Sequence, residues 1–114
     1  MAVTYAFTPS AGTPSTVWGN KRVVFGQLVA TGTYTTGGDS ITAAQFGLKT
    51  IDELILIPDG SGANTNGQAV AAPDLTTLKI KLFGSNSVSG STLPELTAAT
   101  TVTGMTWQVI GIGD

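Results

Sequence analysis

The 114-residue sequence contains no cysteine and no histidine. Without cysteine there is no disulfide framework, no thiol nucleophile and no thiolate metal site, and nothing marks the redox compartment. Without histidine there is no Ser-His-Asp triad, no Cys-His pair and no imidazole metal ligand. Charge is also scarce. Only 11% of residues are Asp, Glu, Lys or Arg, against about 25% in an average domain. The net charge is −2. The cations are Lys21, Arg22, Lys49, Lys79 and Lys81; the adjacent Lys21 and Arg22 read as the solvated start of a strand. Phosphate-driven binding needs many clustered cations, so nucleic acid is not an expected partner. No apolar run approaches the ~18 residues of a membrane span, and none is expected to engage a membrane. Residues 1–5 lack the basic region and long apolar core of a secretory signal. Synthesis in a cytoplasm as a soluble chain is the expectation.

What the chain does have is apolar content of 41% and a mean hydropathy of +0.26. That suffices for one domain with one core, with no cofactor or metal needed to hold it. The rest of the surface falls to Thr, Ser, Gly, Asn and Gln. Such a surface repels weakly and suits a protein packed against other protein.

Residues 1–20 carry Pro9, Gly12, Pro14 and Gly19 among Thr and Ser. Proline disfavours helix and central strand, so this segment reads as an extended N-terminal arm with one short strand over residues 3–7. Residues 21–114 form the domain proper. Tyr5, Phe7 and Trp18 are costly to leave in water, so the arm is expected to dock on its own domain or on a neighbour. Residues 23–30 predict a β-branched strand in which Gly26 marks a bulge or a close approach. Residues 31–36 extend it or form an adjoining strand. Gly37-Gly38 predicts a turn, Ser40 or Thr42 caps one turn of helix, and Gly47 ends it in the left-handed region.

Residues 51–58 predict a strand that is apolar on both faces, with Ile51, Ile55 and Ile57 on one side and Leu54 and Leu56 on the other. That pattern suggests a strand covered on both sides, at least at its end. Residues 59–73 read as a long loop, the kind that tends to carry function. In residues 78–83 Leu78, Ile80 and Leu82 alternate toward a core, with Lys79 and Lys81 guarding the strand against edge pairing. Residues 84–92 read as a Ser-Gly-Asn loop. Residues 102–112 close the domain as one or two strands, with Met105, Trp107 and Val109 on one face. Six to eight short strands and no amphipathic helix argue an all-β, single-domain antiparallel β-sandwich or jelly roll, between which periodicity does not choose.

Seven carboxylates remain for chemistry: Asp39, Asp52, Glu53, Asp59, Asp74, Glu95 and Asp114. Glycosidase chemistry needs two facing across a cleft. Asp52 and Glu53 are neighbours on a strand and point to opposite faces, so no catalytic pair is indicated and enzymatic activity is not expected. The stretch Asp59-Gly60-Ser61-Gly62-Ala63-Asn64-Thr65-Asn66 resembles a calcium loop, but lacks the alternating oxygen ligands and closing Glu of the standard pattern. It reads as a flexible loop, and no metal site is assigned. Among the aromatics Trp107 reads as core, Tyr34 as packing over the Gly-Gly turn, and Trp18 as an exposed anchor. The candidate partner-binding residues are Tyr5, Phe7 and Trp18 of the arm and Asp59, Asn64 and Asn66 of the loop.

The segment from Thr31 to Asp52 reads TGTYTTGGDSITAAQFGLKTID. It resembles a family of small virion structural proteins of tailed bacteriophages, in which Y-x-TGG-(D/E)-x-hydrophobic-T-x-x-x-x-GL lies between two strands. A Lys-bearing alternating strand (residues 78–83) followed by a last hydrophobic strand ending Ile110-Gly111-Ile112-Gly113 is similar to that family as well. Together the matched pieces span roughly half the chain. The resemblance implies a jelly-roll-like sandwich and a role as a capsid decoration (cement) protein. Such proteins sit as oligomers, often trimers, on the outer head surface, bound to the major capsid protein of the same phage. Two other roles fit the same residues: a minor tail or baseplate component, and a carbohydrate-binding β-sandwich module with an exposed aromatic platform.

Overall fold

The computed structural model describes residues 2–10, 15–60, 68–84, 95–96 and 98–114. Their strands are β1 (Thr4–Pro9), β2 (Ser15–Trp18), β3 (Lys21–Thr31), β4 (Asp39–Ser40), β5 (Ile51–Asp59), β6 (Val70–Asp74), β7 (Lys79–Phe83) and β8 (Thr106–Gly113). One 3-10 turn spans Ala43–Phe46. Every pairing is antiparallel. One sheet has the order β1-β3-β8-β5, with β2 also on β3; the other has the order β4-β7-β6. Among the described residues no helix is long and apolar enough to cross a membrane.

The large sheet is organised by β3, whose Val-Val-Phe and Leu-Val runs favour an extended pleat. At 11 residues it takes two strands along one edge. β2 pairs with Lys21 to Val24 and β1 with Gly26 to Thr31. Gly26 marks a close approach without a bulge: a β-carbon there would lie 2.4 Å from the Thr8 carbonyl oxygen, and the register of β3 on β8 runs through it unbroken.

One core lies between the sheets. Tyr5, Val24, Leu28 and Ala30 enter it from β1 and β3, and Leu54 and Leu56 from β5. Trp107 and Val109 enter from β8, and Ile80 and Leu82 from β7. Trp107 is wholly buried, and its indole N–H donates to the Ala69 carbonyl at 3.0 Å. That bond and the Thr106 N–H donated to Gln68 Oε1 at 3.2 Å tie the start of β8 to the chain entering β6. Met105, Trp107 and Val109 all point inward as expected.

Several expectations change here. The segment expected as an arm does carry the strand expected over residues 3–7 and docks on its own domain, but as β1 and β2 of the sheet, with Val3 and Tyr5 in the core. Alternation along β1 sends Tyr5 and Phe7 inward, and Pro9 lies at the strand end, where a missing N–H is tolerated. The stretch taken for a loop over residues 59–73 contains most of β6. Leu78 is 36% exposed with φ of 54°: it ends a turn in which Asp74 accepts the N–H groups of Thr76 and Thr77, so the inward alternation starts at Ile80. β7 is the middle strand of its sheet, and Lys79 and Lys81 therefore do not guard a sheet edge. Residues 31–36 form no strand beyond Thr31; Thr33 makes an isolated bridge to Thr101. The loop expected over residues 84–92 lies, but for Gly84, outside the described residues.

Candidate interaction surface

The Thr31–Asp52 stretch folds as a lock between the sheets. Gly38 N–H donates to the Thr35 carbonyl at 3.0 Å and closes the turn. At Gly38 φ is +99°, and a β-carbon would meet the Ile80 carbonyl oxygen at 2.7 Å, so both conformation and space require glycine. The Asp39 carboxylate is buried and accepts the Thr35 N–H at 3.2 Å. Tyr34 is buried beside the turn. Its hydroxyl donates to Glu95 Oε2 and accepts the Leu82 N–H of β7 at 3.2 Å. The same Glu95 oxygen accepts the Gly37 N–H at 2.7 Å. These two donors, Tyr34 first, hold the Glu95 carboxyl below the ordinary range. Burial, aided by the Glu95 bond, pushes the Tyr34 phenol up.

The turn that follows is capped at both ends. Thr42 Oγ1 accepts the Gln45 N–H, and Gln45 Oε1 accepts the Thr42 N–H at 2.7 Å, a reciprocal capping box. Gly47 terminates it at φ of 75°. Gln45 Nε2 donates to the Tyr5 carbonyl at 2.9 Å, and Phe46 packs on Phe7 with ring centroids 5.1 Å apart. This turn thereby clamps β1.

A second polar group gathers at one end of the large sheet. Lys21 Nζ lies 2.8 Å from Asp52 and 3.0 Å from Asp114, and Thr50 Oγ1 donates to Asp114 at 3.2 Å. The Lys21 ammonium holds the Asp114 carboxyl below the usual range, and the two carboxylates raise Lys21 in turn. Among the described residues no group of three or more acidic side chains is placed to hold a metal ion.

The described members of the expected partner-binding set, Tyr5, Phe7, Trp18 and Asp59, do not form one exposed patch. Tyr5 is a core residue, edge-on to Trp107 at 6.2 Å between centroids, and is corrected from surface contact to core. Its pKa is driven upward by burial and then by nearby Asp39. Phe7 is half-buried against Phe46. Trp18 is exposed at 66% and Val17 at 63%. They occupy the tip of the β2–β3 hairpin on opposite faces, across from Lys21 and Arg22. Asp59 ends β5 and accepts a bond from Gln108 Nε2 at 2.6 Å. Asn64 and Asn66 lie outside the described residues.

A surface that the sequence reading did not assemble is the outer face of the large sheet. Register places Phe25, Ile110 and Ile55 in one row across β3, β8 and β5. Val23, Ile112 and Glu53 form the row on one side, and Gln27, Gln108 and Ile57 the row on the other. Ile55 is 46% and Ile57 50% exposed, so β5 is covered on its inner face only, against the expectation of cover on both sides. Phe25, Ile110 and Ile112 are partly exposed. Apolar residues on both faces of β5 and β8 were the sequence signal for this surface.

No family model matches the chain, and neither a curated protein nor a solved structure matches it.

Proposed function

We propose that this chain is a non-enzymatic structural protein of a tailed-bacteriophage virion, acting as a decoration (cement) protein that binds the major capsid protein on the outer head surface and stabilises the shell. The observation that carries this reading is the segment Tyr34 to Leu48, which reproduces the Y-x-TGG-D-x-hydrophobic-T-x-x-x-x-GL pattern residue for residue. Tyr34, Gly37, Gly38, Asp39, Thr42 and Gly47 of the pattern each have a defined task in the turn that joins the two sheets. A jelly-roll-like arrangement of the strands belongs to the same proposal, supported by two antiparallel sheets that share one core. A uniform, weakly charged surface suits a protein present in many copies. Small contacts repeated by symmetry then hold through avidity. The exposed Val17–Trp18 tip is the anchor on the described surface that fits a pocket on a shell.

The test is mass spectrometry with copy counting on purified virions of the phage that encodes the chain. Several hundred copies lost with empty heads support the proposal. A few copies that fractionate with tails replace it by a minor tail or baseplate role, and absence from the particle refutes it.

A carbohydrate-binding role is the second reading, favoured by the solvent-exposed indole of Trp18. It requires that oligosaccharides quench or shift Trp18 fluorescence, with the response lost in Trp18→Ala. Trp107 lies in the core and contributes no platform.

A further inference from the structure

We infer that the outer face of the five-stranded sheet is a two-fold interface between two copies of this chain. The starting point is a mismatch. β5 and β8 carry apolar residues on both faces, the pattern of strands covered on both sides, yet the chain covers the outer face only in part: Val23 and Thr106 are buried there and the β5 side is open. Ile55 and Ile57 are left 46% and 50% exposed, next to the partly exposed Phe25, Ile110 and Ile112.

Three observations select a second copy as the occupant. The first is symmetry. In the central row Phe25 and Ile55 flank Ile110 on either side of β8. A two-fold axis lying along β8 in the plane of the face sets each Ile110 on its counterpart and each Phe25 on the other copy's Ile55. Two sheets stacked this way pack in the aligned manner, face to face about 10 Å apart. The second is charge. Lys21 is already neutralised by Asp52 and Asp114, so the face presents no free lysine to an acidic partner; its remaining carboxylates, Glu53 and Asp59, sit in the outer rows. A face poor in charge is matched best by another like it. The third is size. Four strands about 4.8 Å apart and some eight residues long give a face of roughly 500 Å² in projection. Side-chain relief brings that toward the ~800 Å² of accessible surface per partner that a stable pair buries. This inference does not rest on the virion reading. It predicts a pair where the phage resemblance implies a trimer.

The experiment is sedimentation velocity with multi-angle light scattering on the full chain across the micromolar range. The expected species has twice the 11.6 kDa chain mass. Ile55→Lys alters a side chain already half in water and is expected to leave the circular dichroism spectrum unchanged while raising the dimer dissociation constant at least about tenfold. The chain has no cysteine, so a single Ile110→Cys, at the axis, is expected to be joined to its counterpart by a short bis-maleimide cross-linker that spans the sheet spacing of about 10 Å, whereas Thr8→Cys, off the axis on β1, is not. A monomer at every concentration overturns the inference, as does a trimer. So does a dimer that is indifferent to Ile55→Lys or that cross-links equally through both cysteine variants.

Discussion

Single residues explain why the Tyr34–Leu48 segment reads as it does. Glu95 bonds both Tyr34 and the Gly37 N–H, and its carboxyl is held below the ordinary range by those donors. A depressed carboxyl stabilises the fold at every pH above its unfolded value, about 4.3, and the contribution is lost as pH falls through the lower folded value. Asp114, lowered by Lys21, acts in the same direction. We therefore expect thermal stability to hold steady between about pH 5 and 9 and to fall on the acid side of 4. Glu95→Gln should be less stable than the parent at neutral pH and should lose less on acidification. Melting curves from pH 2 to 7 check this; parallel curves for the two proteins would refute the assignment. Tyr34→Phe removes both bonds of the phenol and should reproduce the neutral-pH loss, again by melting temperature.

At the scale of elements the informative case is β1. Removing residues 1–18 takes Val3 and Tyr5 out of the core and, with β1 and β2 both gone, leaves one whole edge of β3 unpaired. Deleting one buried aromatic side chain costs about 3–5 kcal/mol, against a total stability of about 5–15 kcal/mol. The truncated chain is expected to be unfolded, which far-ultraviolet circular dichroism and amide dispersion in a proton–nitrogen spectrum will show; a folded fragment would mean that β1 and β2 are both dispensable. The prolines made this segment look like an arm because sequence alone does not tell a strand end or an edge position from an interruption. The turn before β5 was legible down to Thr42 and Gly47, because capping is a local matter between residues a few positions apart. The inward set Met105, Trp107 and Val109 was legible for a similar reason, since alternation is local. Which strand neighbours which was not legible. The middle position of β7, the partners of Tyr34 and the row Phe25–Ile110–Ile55 all depend on pairings between distant segments. The exposure of Ile55 and Ile57 was hidden because a run apolar on both faces reads the same whether its cover comes from the chain or from another copy.

For the whole molecule the governing property is low charge, 11% of residues. Attachment to a shell through such a surface owes little to ion pairs, and salt screens only those. Retention of the protein on isolated heads should therefore survive a rise to about 1 M salt, where the screening length is near 3 Å; complete release at moderately raised salt, measured by pelleting, would contradict the proposal. The order of strands has a consequence of a different kind. β8 follows every other strand in the sequence, yet it lies between β3 and β5 in the sheet. A ribosome delivers the chain from its N-terminus at about 5–20 residues per second. Until Thr106 to Gly113 emerges, β3 and β5 wait with no strand between them, and Trp107 is missing from the middle of the core. The nascent chain thus carries a gap in its main sheet until β8 has followed β3 and β5 out of the ribosome, and the sheet is complete only once that strand lies between them. Mutations in β8 should for that reason depress yield in the cell more than equally destabilising ones in β6.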